Sequence, residues 1–267
     1  MMQLTTSLAD VFDLRELDYR VWQAQVDETW RGWTGPHGGV VAALLIEVAR
    51  RATGIELSVR AVDLRFLGRP RDGIFTFRAI EHAVGRSTVV VDVTTDQEGV
   101  SVAAASITFG RGGVTGVPER PGPAAPEVPA SAACPLFQLP PEIVPVGAHF
   151  EIRPAAGPLP LSGADDAWMC AWIALAPELP TDAATLAILA DALPPALFPT
   201  LTQPVAVPTV ALSMHLHTDL AAAPPQPVLV RATNISTGGG WSVDDTSLWD
   251  ADGRLLATAR QTRRVLG

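Results

Sequence analysis

The sequence predicts an α+β protein made of two similar units, each a curled antiparallel sheet around one long buried helix. Two stretches, Ala61–Phe109 and Thr209–Arg263, follow the same order of patterns. Each opens with an apolar strand, continues through two more strand-like runs and a glycine turn (DQEGVSV or DADGRLL), and closes on a strand rich in small residues. Self-similarity at so long a period indicates a duplicated fold.

The two copies differ in their polar side chains. Counting from the apolar openings aligns Ala61 with Thr209, and counting from the glycine turns aligns Ile107 with Gln261. Polar groups therefore stand in the second copy where the first has hydrocarbon. We expect the chemistry to be kept in the second half.

In the first half, one run is a helix and the others are strands. The run Gly38–Ala52 has apolar residues at helical spacing and is apolar nearly all round, so the sheet must wrap it. Alternation of apolar and polar residues is clearest in the last three strands. The predicted strands are RVWQAQVDETW, SVRAVDLRFL, GIFTFRAIEHA, RSTVVVDVTTD and GVSVAAASITF.

The second half repeats this order. Its helix is predicted over Thr181–Phe198, with Thr181 or Asp182 as the cap, and Pro194 should end or kink it. The Asp252–Gly253 pair predicts the hairpin turn between the last two strands. The predicted strands are AHFEIRP, AWMCAWIALA, VPTVALSMHLH, PVLVRATNIS, WSVDDTSLWD and RLLATARQTRRV.

A proline-rich segment separates the two halves. Pro118–Pro145 holds nine of the 24 prolines in 28 residues, a density that excludes helix and disfavours a central strand. We interpret it as a semi-rigid linker. The predicted units are therefore an N-terminal one at 1–113, a linker at 114–145 and a C-terminal unit at 146–267.

The composition excludes several classes of function. A net charge of −9 argues against non-specific nucleic-acid binding, which needs a basic face. The two cysteines, Cys134 and Cys170, are too few for a disulfide framework or a cysteine-rich zinc site, and free thiols are expected. The N-terminus lacks the pattern of a signal peptide, and no apolar run reaches 18 residues. We expect a soluble cytoplasmic protein.

Two motifs give a family resemblance. The run GPHGGVVAALL, Gly35–Leu45, resembles the opening of the buried helix in thioesterase-like hotdog proteins. The C-terminal run from Thr209 through LWDADGRLLATARQTRRV resembles the last domain of the acyl-CoA thioesterase II family. Members of that family are double hotdogs, and the resemblance covers nearly the whole chain apart from the linker.

The resemblance implies a catalytic set of three residues. The family has an Asp on the second helix, a Thr early on the following strand and a Gln on the last strand. These match Asp191 in LAILADALPPALF, Thr209 in VPTVALSMHLH and Gln261 in LLATARQTRRV. The first helix departs from the family by opening with His37, Gly38 and Gly39, which leaves the acyl-chain preference open.

The chemistry of these residues suits thioester hydrolysis. Together they can hold one water, and the carboxylate of Asp191 is the only plausible base among them. Asp191 is the only charged residue in the apolar run Ala183–Phe198. If it is not catalytic, we expect it to face solvent or to cap the end of the helix. If Thr209 has no catalytic role, it is an ordinary strand residue. If Gln261 has none, it occupies an exposed position between arginines.

Other polar residues near these motifs have weaker claims. His37 could be a base or could line the site, and Gly38 and Gly39 would let a thioester approach the backbone, so all three are candidates for substrate binding. His215 and His217 lack further ligands at metal spacing, so no metal is expected. The arginines Arg69, Arg71, Arg260, Arg263 and Arg264 are candidates for the phosphates of coenzyme A, with solvated positions as the alternative.

The leading hypothesis is therefore hydrolysis of acyl-CoA or a related acyl thioester, without a cofactor beyond the coenzyme A of the substrate. One alternative is a non-catalytic acyl-thioester binding protein on the same fold. A hotdog hydratase or dehydratase is disfavoured because the Asp/His spacing of that chemistry is missing. Family resemblance and the need to cover sheet edges predict a homodimer of double hotdogs in lipid metabolism.

Overall fold

The chain forms one antiparallel sheet with its two longer α-helices packed on it. The structure is a computed structural model that describes residues 6–54, 57–82, 85–113, 115–138, 141–220 and 223–266. Residues 114, 139 and 140 of the predicted linker, and Ala83 at the end of a predicted strand, lie outside the described residues. No helix in the described ranges is long and apolar enough to cross a membrane.

The first half contains two helices and six strands; its apolar patterns predict α2 and five of the strands, but not the short elements α1 and β1. Helix α2 has eleven buried residues, and it lies against strands β4, β5 and β6. The elements are α1 (Leu8–Val11), β1 (Arg15–Asp18), β2 (Val21–Val26), α2 (Gly38–Thr53), β3 (Ser58–Phe66), β4 (Gly73–Glu81), β5 (Thr88–Gln97) and β6 (Val100–Gly110).

The second half repeats the pattern with a shorter helix. Its elements are β7 (Phe150–Ala156), β8 (Trp168–Leu175), α3 (Ala183–Ala190), β9 (Thr209–Leu216), β10 (Val228–Gly238), β11 (Trp241–Trp249) and β12 (Leu255–Arg264). Helix α3 packs against α2 along the centre of the molecule.

The predicted helix Thr181–Phe198 is too long. Asp182 caps α3 by accepting a hydrogen bond from the Thr185 N–H, and the helix ends at Ala190 with Asp191 as its C-cap. Pro194 disfavours helical backbone at the residue before it, so the helix closes short of the proline pair. The apolar residues beyond it stay buried, and this is why the pattern looks continuous.

Strand order confirms the duplication. The twelve-stranded sheet runs β1-β2-β4-β5-β6-β3-β9-β12-β11-β10-β8-β7, so each half contributes the same order, reversed about the centre. The halves join where β3 pairs with β9, with Asp63 opposite Ser213, whose hydroxyl donates to the Asp63 carboxylate at 2.7 Å.

The register corrects one of the expected alignments. Each half has a bulge that skips one residue, Arg60 in β3 and Val210 in β9. Matching the bulges makes Thr209 the counterpart of Val59, two residues from the predicted Ala61. The pairing of Gln261 with Ile107 fits the same register.

The proline-rich segment packs on the outer face of the second half. The indole N–H of Trp249 donates to the Pro123 carbonyl, and that of Trp172 to the Pro129 carbonyl, each at 2.9 Å. Cys134 and Cys170, both free and buried, belong to the small core beneath it. The segment is therefore part of the second half's packing as well as a connection.

Candidate active site

Asp191 lies at the junction of the two halves. It follows the last residue of α3, and its carboxylate lies against the N-terminus of α2. The Gly39 N–H donates to Asp191 Oδ2 at 3.0 Å. Amide groups in the first turn of a helix have no partner within it, so a carboxylate is stabilised there.

Two glycines make this approach possible. A Cβ on Gly38 would lie 2.9 Å from Asp191 Oδ2 and 3.2 Å from the Phe66 ring. A Cβ on Gly39 would lie 2.7 Å from the Ala187 carbonyl oxygen on α3. The glycines bring α2 against α3 and its carboxylate, a role that adds to the close thioester contact expected from the sequence.

Thr209 and Gln261 reach Asp191 from neighbouring strands. Gln261 lies in β12 on the side that faces the helices, with only 2% of its surface exposed, which excludes the exposed position considered for it. Thr209 is separated from the inward-facing Leu212 by the bulge at Val210, and the bulge turns Thr209 back to the helix side.

The three residues named from the resemblance meet at one point. Gln261 Nε2 donates to Asp191 Oδ1 at 2.7 Å and lies 3.4 Å from Thr209 Oγ1. The contacts join residues 70 positions apart in the chain. They are direct contacts among the three groups, and a water bound here would lie beside Asp191 and Thr209, which line the adjoining cavity, whereas Gln261 does not line it.

His37 joins the cluster through its ring. Its Nε2 lies 2.8 Å from the backbone oxygen of Asp191, which can only accept, so this nitrogen carries a hydrogen. The same nitrogen lies 3.6 Å from Asp191 Oδ2. The other ring nitrogen, Nδ1, is buried without a hydrogen-bond partner among the described residues.

Sequence reasoning misplaced one member of the cluster. Arg263 is only 6% exposed, and its guanidinium contacts Asp191, Thr209 and Gln261, so it is neither solvated nor free for a phosphate. Arg260 lies on the other face of the sheet and pairs with Asp245 at 2.6 Å. The alternation of side chains along a strand could have indicated this difference, because residues two apart, such as Gln261 and Arg263, share a face.

The surroundings keep Asp191 ionised. Burial raises the pKa of the carboxyl and is the largest single influence. The charges of His37 and Arg263 lower the pKa. Hydrogen bonds from Gln261 and Gly39 act in the same direction, and the combined effect holds the pKa below the ordinary value of an aspartate.

A cavity of about 430 Å³ opens beside the carboxylate. Asp191, Thr209, Arg263, His37 and Gly38 line it, while most of its remaining wall is apolar. The exposed Arg69 lies at its rim. Its size is in the range of pockets that bind small organic ligands. The apolar wall residues include Trp33, Phe66, Val144, Val146, Phe150, Leu193, Phe198 and Val207.

The equivalent position in the first half carries no such chemistry. The counterparts of Thr209, Gln261 and Arg263 are Val59, Ile107 and Phe109, all of which are buried. The expectation that polar groups replace hydrocarbon in the second copy is confirmed for these positions.

Comparisons with known proteins agree with this architecture. Models of the N-terminal and C-terminal domains of acyl-CoA thioesterases match residues 26–110 and 118–265. No curated protein matches the chain significantly.

Solved structures resemble the chain over nearly its whole length. A protein of unknown function with a hot dog fold from Alicyclobacillus acidocaldarius is 25% identical, covers 99% of each chain and has a TM-score of 0.88. An acyl-CoA thioesterase II from Mycobacterium marinum is 18% identical over 97% of this chain and 98% of its own, with a TM-score of 0.75. At 18% identity this second likeness shows the fold alone. The expected double hotdog is confirmed.

Proposed function

This chain belongs to the acyl-CoA thioesterase family, and we propose that it hydrolyses an acyl-CoA thioester to a carboxylic acid and free coenzyme A. In this proposal the catalytic residues are Asp191, Thr209 and Gln261. The reacting water binds beside Asp191 and Thr209, which face the cavity, while Gln261 holds the Asp191 carboxylate. The observation that carries the proposal is the Asp191 carboxylate, which is largely buried yet held ionised at the wall of a mostly apolar cavity.

The reaction needs a base for the water. Asp191 Oδ1 already accepts from Gln261 and Arg263, whereas Oδ2 accepts from Gly39 and keeps room for one more donor. The water donates to Oδ2 and attacks the carbonyl carbon, and its proton passes to the carboxylate. When the carbon–sulfur bond breaks, the same proton goes to the leaving thiolate.

The reaction also needs donors for the carbonyl oxygen as it becomes negative. The Thr209 oxygen already accepts from Arg263 at 2.8 Å and faces Gln261 Nε2, so its own hydrogen is free to point into the cavity. The Gly38 N–H lies in the first turn of α2, where amide groups have no hydrogen-bond partner within the helix. The partial positive charge of the helix N-terminus acts at the same place. Both can stabilise the oxyanion of the tetrahedral intermediate.

The cavity suits the two chemically distinct parts of the substrate. Its apolar wall binds the acyl chain, and the rim with the exposed Arg69 receives the phosphate-bearing part of coenzyme A. His37 lines the cavity beside Asp191, and its ring packs against the bound substrate. No cofactor is required, because the carboxylate and the water carry the chemistry. Assembly as a homodimer of double hotdogs is part of the proposal, and light scattering at micromolar concentration measures it.

A second candidate is a non-catalytic acyl-thioester binding protein. The observation in its favour is that the same contacts that keep Asp191 ionised also occupy Asp191 Oδ1 and lower the basicity of the carboxylate. A weaker base assists proton removal less. Such a protein would keep the cavity and bind the thioester without turnover.

The test compares Asp191→Asn with the wild type in a thiol-release assay over short, medium and long acyl-CoAs. We expect kcat to fall by about 10²–10⁴-fold with little change in KM, since loss of a general base acts on the transition state. Asp166→Asn is the matched control, because Asp166 is exposed and does not line the cavity.

Two results would contradict the proposal. A wild-type rate in Asp191→Asn makes Asp191 structural. If the wild type releases no thiol from any chain length but binds an acyl-CoA, the binding protein becomes the better description.

A further inference from the structure

Arg263 is a buried cation inside the cluster. Its side chain is 7% exposed, and Nη1 donates to Thr209 Oγ1 at 2.8 Å. Nη2 donates to the Gln261 side-chain oxygen and lies 3.3 Å from Asp191 Oδ1. One guanidinium thus touches the three proposed catalytic residues. A buried arginine normally needs compensating negative charge, and two carboxylates supply it here.

The second carboxylate is Asp244 on the adjacent strand β11. Asp244 is 2% exposed, and its Oδ2 lies 3.0 Å from Arg263 Nε, as an ion pair whose N–H is not well aligned with the oxygen. Asn234 donates to its Oδ1 at 2.9 Å, and the Ala196 N–H to Oδ2 at 3.2 Å. Asp244 is therefore fixed by its own bonds and anchors the arginine at Nε, while Asp191 lies near Nη2.

The guanidinium decides the orientation of both neutral members of the cluster. An arginine has only donors, so the atom of Gln261 that faces it must be the amide oxygen. The Gln261 NH₂ group is thereby turned toward Asp191 and Thr209. Thr209 accepts from the arginine, and its hydroxyl hydrogen is left for the cavity.

We propose that Arg263, anchored by Asp244, is a positioning residue that keeps Asp191 ionised and fixes the donor directions of Gln261 and Thr209. This inference rests on the proposed function for its kinetic consequences. Its electrostatic part concerns the charge of Asp191 and holds whether or not the chain turns over a thioester.

Three variants separate the charge of Arg263 from its shape. Arg263→Gln removes the charge, and Arg263→Lys keeps it but lacks the planar fork. The pair Arg263→Gln/Asp244→Asn removes both buried charges together, so that no unpaired carboxylate is left to unfold the protein. Arg260→Gln is the matched control, because Arg260 lies in the same strand and pairs with the neighbouring Asp245 on the other face of the sheet.

The first readout is kinetic. In Arg263→Gln and in the double variant we expect kcat to fall about 10- to 100-fold with little change in KM, the usual cost of losing a group that orients a catalytic residue. The pH at which kcat/KM falls on the acidic side of its profile should rise by about 1–3 units, because an adjacent cation no longer favours the ionised form of Asp191. Arg263→Lys should lose kcat but keep the acidic limb near that of the wild type.

The second readout needs no turnover. Carbon-13 NMR titration of the Asp191 carboxyl, assigned by its loss in Asp191→Asn, should show the same upward shift in Arg263→Gln and the double variant. An unmoved titration overturns the electrostatic role, and a wild-type kcat in both overturns the positioning role. If the wild type itself releases no thiol, the proposed function fails while the titration still decides the electrostatic effect of Arg263.

Discussion

Asp182 caps α3 at an electrostatic cost. Burial raises its pKa above the ordinary value of 3.8, and nearby Glu47 adds to this, while the hydrogen bond from Thr185 only partly offsets the rise. Folding therefore favours the protonated form. The stability that this group contributes is complete below pH 3.8 and is lost as the pH rises through the higher folded-state pKa.

Asp182→Asn should therefore stabilise the protein at neutral pH. Asparagine caps helices as well as aspartate does and carries no charge to bury. The gain over the wild type should shrink as the pH is lowered through the folded-state pKa and disappear below 3.8, where the wild-type carboxyl becomes protonated in both states. Urea unfolding of the variant and the wild type, from neutral pH to below pH 3.8, measures the difference in their free energies of unfolding. A difference that does not depend on pH would contradict the role given to the buried charge of Asp182.

At the residue scale, the catalytic candidates come from the family resemblance, because the composition and spacing of the residues do not identify them. Nothing in the spacing of Asp191, Thr209 and Gln261 predicts that they meet, because their contacts depend on a bulge and a helix end. Arg263 was misjudged for a different reason. Arginines usually lie in solvent, and here the buried partner Asp244 on the neighbouring strand reverses that expectation.

At the element scale, periodicity predicts where strands and α2 form better than it predicts where α3 ends. Residues Ala192–Phe198 are apolar for a reason other than helix formation, since they wall the cavity and the core beside Asp191. An apolar sequence indicates burial but not secondary structure. The sequence of a buried irregular segment therefore resembles a continuation of the buried helix before it. Ending α3 early places Asp191 at a helix end, where its carboxylate can meet α2.

The contact between α2 and α3 depends on Gly39. A methyl group there would lie 2.7 Å from the Ala187 oxygen and 2.8 Å from the Ile188 Cα, both backbone atoms that cannot rotate away. We expect Gly39→Ala to destabilise the protein by about 1–3 kcal/mol through overpacking. Moving the helices apart should also weaken the 3.0 Å bond from Gly39 to Asp191, so kcat should fall as well.

Gly238→Ala is the control for this prediction, because a methyl group at Gly238 meets nothing within 4 Å. Thermal unfolding and kcat of both variants should separate a specific helix contact from a general effect of losing a glycine. Equal stability of the two variants would show that α2 and α3 can move apart freely.

At the scale of the whole molecule, the duplication was visible in the sequence but its register was not. Sliding one strand by two residues keeps the alternation of apolar and polar side chains, so aligning apolar patterns placed Thr209 two residues from its true counterpart. The packing of the proline-rich segment was also hidden. Prolines indicate an extended chain, but the acceptors for Trp172 and Trp249 are backbone carbonyls, which carry no side-chain pattern.

The two halves provide a matched test of where the chemistry lies. Ile107 and Gln261 occupy equivalent positions on equivalent strands, and both are buried. Replacing each with leucine puts the same side chain at both places. Ile107→Leu conserves volume and should cost less than about 1.5 kcal/mol with kcat unchanged, because no reacting group lies near it.

Gln261→Leu should behave differently. It removes the donor that lies 2.7 Å from Asp191 Oδ1 and the acceptor for Arg263, so kcat should fall about 10- to 100-fold at a temperature where both variants are folded. Thiol release and thermal unfolding, measured on the same samples, keep loss of chemistry apart from loss of stability. Equal kcat values in the two variants would mean that the second half has no special role, whereas a larger loss in Ile107→Leu would move the active site to the first half.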